Sequence, residues 1–367
     1  MDLGIIGLPK SGKTTTFNAL TGGHAETSAF GHTGLEQNLG VVKVPDSRLD
    51  RVAALVRPKR ITPAEVRYLD VRGSSRGAPD TRELFVGPLL NVLGGVDALI
   101  HVVRAFSNPS LPHPSGTVDP GRDIEAMNLE LAFADALQIE RRLERLTNGL
   151  KAAKPSQREA AALEHQWLQE VKAQLEAEVP VREVDLSEAQ RQALANYALL
   201  TAKPLLIILN IGEEQLGEAT ALEQEYQRRY SRPGVQVLAL CAQLEMDLGR
   251  MGPQEARDFR AALDLPEPGV DRVIRASYQL LGVLSFFTMG PEEARAWTLR
   301  RGMLAPQAAG KIHSDMERGF IRAEAVSWEH LLESGSWAEA RRRGYLRSEG
   351  KHYAVQEGDV LLVLFSH

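Results

Sequence analysis

An apolar strand that runs directly into Gly7-Leu8-Pro9-Lys10-Ser11-Gly12-Lys13-Thr14 leaves this chain few folds to choose from, because the spacing G-x-x-x-x-G-K-[ST] wraps a phosphate. Gly7 and Gly12 let the backbone amides approach an anion, Lys13 supplies a point charge for the β- and γ-phosphates, and the Thr14 hydroxyl is placed to ligate Mg²⁺. The residues that follow, Thr14 to Leu20, suit a helix whose positive end faces the ligand. A glycine-rich turn that matched by chance would lack this strand before and helix after. Pro9, Lys10, Ser11, Gly12, Lys13, Thr14 and Thr15 are therefore the expected phosphate-side residues, and a nucleoside triphosphate is the expected ligand.

Short β-rich runs at 66–71, 98–103, 205–209 and 235–240 alternate with helical or polar stretches, as parallel strands buried on both faces do. Their ends carry the remaining candidates. Asp70-Val71-Arg72-Gly73 closes one strand, which places Asp70 to hold Mg²⁺ through water and the Gly73 amide opposite a γ-phosphate, with Ser74 next in line to touch an attacking water. Asn210-Ile211-Gly212-Glu213 follows another strand where a base-reading loop lies, and Cys241-Ala242-Gln243 follows the next. Polar residues end strands in any fold. Four such loops in order are what carry the reading.

Between residues 121 and 200 the composition shifts to Glu, Arg, Ala, Leu and Gln. Leu129, Ala132, Ala136, Ile139, Leu143, Leu146 and Leu150 keep the 3-4 spacing of a coiled-coil seam, and Leu163, Trp167, Val171 and Leu175 continue it beyond Pro155. This predicts an antiparallel helical hairpin whose tip carries Arg142, Arg145, Lys151, Lys154 and Arg158, either a phosphate-backbone contact or a solvated helix end. Past residue 280 short strands and turns return, with alternation at 320–326 and an apolar run within 353–365. The expected division is a nucleotide-binding domain at 1–120 and 201–279, the hairpin at 121–200 and a small α+β domain at 280–367.

A chain of 367 residues exceeds the usual size of one core, and its 25% charged and 43% hydrophobic content is that of a soluble globular protein. A net charge of −5 argues against a uniformly basic coat, so DNA is not an expected partner. The single Cys241 excludes an intrachain disulfide and fits a reducing compartment. Neither a basic leader nor an apolar run of about 18 residues is present, so the expected location is cytoplasmic, away from membranes.

Further segments give the chain a family likeness. Asn18-Ala19-Leu20-Thr21, Gly40-Val41-Val42, Pro45-Asp46-Ser47-Arg48-Leu49, His101-Val102-Val103-Arg104, Arg272-Val273-Ile274-Arg275-Ala276, and Ala305 through Asp315 with Gly319-Phe320-Ile321-Arg322-Ala323 resemble the Obg-like ATPases, also called the YchF family of P-loop proteins. The resemblance implies an α/β P-loop fold with an inserted hairpin and a C-terminal ubiquitin-like TGS domain. It further implies Mg²⁺ as cofactor and a ribosomal or ribosomal-RNA partner. A GTP-selective loop ends in Asp, whose carboxylate accepts both guanine N1–H and N2–H₂ hydrogens; Glu213 misplaces that acceptor, so ATP is expected over GTP, with use of GTP left open.

Departures from the family cluster near the γ-phosphate. Ser74 stands where the family has a hydrophobic residue, and Arg76 to Glu83 replaces a glycine-rich stretch. In the segment Phe30 to Glu36, Gly34 falls at the family's Mg²⁺-ligating Thr, with Thr33 one residue away as a substitute. Lys10 replaces an Asn that in related enzymes helps hold a monovalent cation; its ammonium either occupies that charge site or points to solvent. The expected activity is slow hydrolysis in a nucleotide-dependent switch, with Lys13, Gly73 and Ser74 nearest the chemistry. A catalytically degenerate nucleotide-binding regulator and a conventional GTPase are the alternatives, while an RNA-binding scaffold leaves the phosphate loop unexplained.

Overall fold

Aliphatic runs with no polar alternation can be strands only if both faces are covered, and Ala98–Arg104 and Leu205–Asn210 are buried at every position. The computed structural model describes residues 1–23, 26–29, 36–72, 85, 87–150 and 155–366. These fall into two units, Met1–Gly40 with Arg67–Val270, and Val41–Val66 with Asp271–His367.

The first unit opens with β1 (Asp2–Ile6), α1 (Lys13–Thr21), β2 (Glu26–Ala29) and β3 (Glu36–Lys43), whose end passes into the second unit. The second unit then contributes α2 (Ser47–Val56) and β4 (Arg60–Thr62), and β5 (Glu65–Arg72) returns to the first. There follow α3 (Pro88–Gly94), β6 (Ala98–Arg104), α4 (Pro120–Leu150), α5 (Pro155–Glu176), α6 (Glu188–Ala195), β7 (Leu205–Asn210), α7 (Ala219–Arg229), β8 (Val235–Leu240), α8 (Ala242–Leu248) and α9 (Pro253–Ala262). Strand order is β2-β3-β5-β1-β6-β7-β8, and β5, β1, β6, β7 and β8 pair in parallel. Parallel pairing aligns the carboxyl ends of those five strands along one edge, where ligand sites of such sheets form.

Within this unit α4 and α5 run antiparallel, since Glu140 meets Lys172 and Thr147 meets His165. Ile139, Leu146, Trp167, Leu168, Val171 and Leu175 form their shared core. Leu129 and Leu163, expected on that seam, are 48% and 65% exposed. At Leu129 the reason is a change of neighbour: the first turns of α4 bury Ile124, Met127, Leu131 and Ala134 in the sheet's core, a face that leaves Leu129 outside. Of the expected tip cations, Arg142 is committed to Glu164 and the Tyr197 hydroxyl. Lys151 and Lys154 lie outside the described residues. The hairpin's root is held by Asp135, whose carboxylate accepts the Leu200 and Thr201 amides at 2.8 and 2.7 Å and the Thr201 hydroxyl at 2.6 Å.

The second unit adds α10 (Gly269–Leu280), β9 (Val283–Met289), β10 (Glu293–Arg300), α11 (Ala305–Ile312) and α12 (Ser314–Arg318). It is completed by β11 (Phe320–Ser327), α13 (Trp328–Ser334), α14 (Trp337–Arg342), β12 (Arg347–Glu349) and β13 (Asp359–Phe365). Its sheet runs β12-β11-β13-β9-β10-β4. The linear reading did not anticipate that Val41–Val66 packs here. Arg48 explains much of it, donating to Asp46 beside it and, at 2.7 Å, to Glu357, while β4 extends the sheet along β10. Both partners push the Arg48 guanidinium pKa above its usual value.

Candidate functional site

The loop between β1 and α1 needs glycine for reasons internal to the fold as well as for phosphate approach. Gly7 has φ 154° and Gly12 φ 93°; a Cβ on Gly7 would strike the Val102 carbonyl, and one on Gly12 the Asn210 side chain. Lys10 takes φ 65°, the left-handed region, without glycine's freedom. Such a loop is held only because its surroundings over-determine it.

Asn210 does much of that holding. At the carboxyl end of β7 its Nδ2 donates to the Ser11 carbonyl at 3.0 Å and its Oδ1 accepts the Ala242 amide at 3.2 Å, joining three of the expected loops. Its own carbonyl accepts the Ala105 and Phe106 amides. A cleft of about 610 Å³ opens there, walled by Lys10, Ser11, Gly12, Lys13, Thr14, Thr15, Asn210, Ile211, Glu213, Cys241 and Gln243. Pro9 stands outside that wall, and Ala242 is buried and acts through its backbone.

Gly212, from the expected base-side loop, completes the wall together with Phe106, Ser107, Asn108, Leu111 and Glu214, which were not among the sequence candidates. Phe106 to Leu111 follow β6, the neighbour of β1 and β7. The aligned carboxyl edge was the signal that could have found them.

Electrostatics distinguish the floor from the walls. Lys13 donates to the Gly7 and Leu8 carbonyls at 2.7 and 3.0 Å; burial lowers its pKa while Asp70 pulls it back up. His101, on β6 beside Ile6, is wholly buried, and burial together with the Lys13 charge pushes it down to about 3, so it is neutral. Arg104, 2% exposed, donates through Nε to the Phe106 carbonyl and lies 4.5 Å from that ring's centroid. Burial, helped by Glu213, Glu214 and Glu245, raises the Cys241 thiol, which keeps it protonated at neutral pH.

The residues present suit Mg²⁺. Thr14 Oγ1 at the start of α1 lies 3.3 Å from Asp70 Oδ2 near the carboxyl end of β5, which brings two hard oxygen donors together. Among the described residues no three His, Cys, Asp or Glu side chains gather into a metal cluster. Mg²⁺ needs none, because it keeps waters and takes phosphate oxygens. Gly73, Ser74 and Thr33 lie outside the described residues.

Two family models match parts of this chain. A family model described as "50S ribosome-binding GTPase" matches residues 2–134. The YchF GTPase C-terminal domain model, described as "Protein of unknown function (DUF933)", matches residues 283–366. "Ribosome-binding ATPase YchF" of Bacillus subtilis is 40% identical over 365 residues, 99% of this chain and 98% of the relative. The protein of that name from Escherichia coli O157:H7 is also 40% identical, over 363 residues with the same coverage. The solved structure of the Schizosaccharomyces pombe YchF GTPase superposes with a TM-score of 0.85 at 29% identity, covering 99% of this chain and 97% of that one.

Proposed function

The chain belongs to the YchF family, and from that premise we propose that it is a ribosome-binding P-loop ATPase that works as a nucleotide-dependent switch. The observation that carries the nucleotide half is the Asn210 knot, which draws the phosphate loop, the base-side loop and the start of α8 around one cleft. Full-length likeness to proteins named as ribosome-binding supports the partner half.

In this reading the triphosphate lies along the loop amides and the N-terminus of α1, and Lys13 leaves the Gly7 and Leu8 carbonyls for phosphate oxygens, which are charged and therefore stronger acceptors. Thr14, and Asp70 through water, would hold Mg²⁺, with Thr33 as a further ligand. Bound there, the ion neutralises charge developing on the transferred phosphoryl group. Hydrolysis is in-line attack by water and is slow, since Ser74 has a short reach and no Gln stands beside Gly73. Residues 280–367 act as the TGS module and 121–200 as the hairpin arm, both turned to ribosomal RNA or protein. The site of action is the cytoplasm; among the described residues no helix is long and apolar enough to cross a membrane.

Parallel ATP and GTP titrations test the base preference. ATP should bind at least tenfold more tightly, and Glu213→Asp should narrow the ratio by improving GTP, because the shorter carboxylate restores the bidentate acceptor. Tighter GTP binding by the unsubstituted chain would make it a conventional GTPase. An Mg²⁺·ATP complex that stays intact for hours would make it a regulator that binds without turnover.

A further inference from the structure

The stretch from Ala105 to Asp119 has cleft contacts at one end and hairpin contacts at the other. Phe106, Ser107, Asn108 and Leu111 line the cleft, and the Ala105 and Phe106 amides are fixed on the Asn210 carbonyl. One residue past Pro112, whose carbonyl accepts Lys10 Nζ at 3.2 Å, the chain dives inward. The His113 side chain is 2% exposed, and its Nε2 lies 2.8 Å from Oδ2 of Asp123, itself 4% exposed, in the first turn of α4. Nδ1 accepts the Ser115 amide at 3.1 Å, so the proton sits on Nε2 and is donated to the carboxylate. Arg122 takes the other carboxylate oxygen at 2.9 Å and also holds the Thr117 carbonyl at 2.8 Å.

A buried, charge-assisted hydrogen bond of this kind is an expensive way to anchor a surface loop, because removing Asp123 leaves the buried imidazole N–H without an acceptor and removing His113 leaves one buried carboxylate oxygen without its donor, the other staying on Arg122. Its location gives the cost a purpose. The loop is one wall of the cleft, and its anchor is the base of a helix 31 residues long.

We infer that His113 and Asp123 are positioning residues for the nucleotide, making 105–119 a strap that sets the nucleoside side of the cleft and ties it to the root of α4. Filling the cleft then stiffens the first turns of the hairpin, and anything that fixes the hairpin improves nucleotide binding by the same factor. The phosphate half of the ligand depends far less on the strap, because its contacts come from the loop at Gly7 to Thr15, which the strap meets through the exposed hydrogen bond of Lys10 Nζ to the Pro112 carbonyl. The inference rests on the cleft's being the nucleotide site.

The test uses the full chain and two probes, Mg²⁺·ATP and Mg²⁺·tripolyphosphate, titrated calorimetrically against the unsubstituted chain, His113→Ala and His113→Gln. A glutamine amide nitrogen reaches Asp123 much as Nε2 does. His113→Ala should weaken ATP tenfold or more while tripolyphosphate changes less than twofold, and His113→Gln should recover most of the loss. ATP should slow amide hydrogen exchange over residues 120–135 in the unsubstituted chain and in His113→Gln, but not in His113→Ala. If His113→Ala does not fold, Asp123→Asn is measured in the same way. Unchanged ATP affinity in the variants, or an equal loss of both probes, overturns the strap. Failure of the unsubstituted chain to bind either probe overturns the nucleotide reading as well.

Discussion

The floor of the cleft and the root of the hairpin bury polar groups equally deeply and treat them in opposite ways. Under the phosphate loop, Ser11 Oγ, Thr16 Oγ1, His101 Nδ1 and Arg104 Nη1 are buried without a protein partner, four of the seven such side-chain atoms among the described residues. At the root, one carboxylate, Asp135, meets three donors between 2.6 and 2.8 Å. An unmade buried hydrogen bond costs about 1–3 kcal/mol. The floor thus carries the cost of four unmade hydrogen bonds, while the Asp135 network leaves none unmade and the root's one such atom is Arg182 Nε, on the side chain that donates to the Thr201 carbonyl. Polar groups left partly unpaired beside an anion-binding loop mark a place arranged for a ligand, whereas a closed network marks a place arranged for rigidity.

The sharpest break in that comparison comes from truncating one residue on each side. Lys13→Ala should lower turnover on the order of 10²–10³-fold, the usual cost of losing a preorganised charge donor, while the unfolding midpoint moves little. Asp135→Ala should do the reverse. Stranding three donors removes about 3 kcal/mol of stability, and turnover per folded molecule stays near that of the unsubstituted chain. Turnover and urea unfolding measured on both variants decide the matter, and a stability loss from Lys13→Ala equal to that from Asp135→Ala would erase the distinction.

A smaller effect lies in the pH dependence, where the two regions pull in opposite directions. His101 has a folded pKa of about 3 against 6.5 in the open chain, so between those values the unfolded chain binds the extra proton and stability falls on acidification. Asp135 is raised by burial to about 6 from 3.8, so the folded chain binds the extra proton and stability falls as pH rises through that window. Each slope is about 1.4 kcal/mol per pH unit. Between pH 4 and 6 they cancel. Asp135→Asn should therefore expose a loss of stability on acidification, and His101→Asn a gain. Parallel stability curves for all three proteins would show that neither group titrates as its surroundings dictate.

The legible part of the molecule was the part whose function is written in short, local spacing. The phosphate loop, the strands at 98–103, 205–209 and 235–240, and the loops that follow the last two stand where the sequence put them, because buried parallel strands need apolar runs. The strap was not legible, since Phe106 to Leu111 carry no motif and reach the cleft only because β6 lies between β1 and β7. The capture of Val41–Val66 by the second unit was hidden for a related reason. Its determinants are a three-residue strand and an ion pair between Arg48 and Glu357, 309 positions apart. The segment Pro45-Asp46-Ser47-Arg48-Leu49, read as a family signature, proves to be that clamp and the N-cap of α2. Hairpin periodicity served at most positions where α4 faces α5, but it failed at Leu163 on α5 and at Leu129, where α4 faces the sheet.

The smallest expected effect is at Lys10, which belongs to neither side of the comparison. Its backbone is held in the left-handed region, and its ammonium reaches across to the Pro112 carbonyl. That acceptor is neutral and exposed, so a bound triphosphate, with charged oxygens on the same wall, is the stronger attraction for the ammonium. A fixed ammonium beside the phosphates does the work of a monovalent cation without selecting among cations. Turnover should therefore differ less than twofold between K⁺ and Na⁺, and Lys10→Asn should run a few-fold faster in K⁺ than in Na⁺. Steady-state rates in the two salts at equal ionic strength measure this directly. A strong potassium requirement in the unsubstituted chain would leave Lys10 as a surface tether to the strap and nothing more.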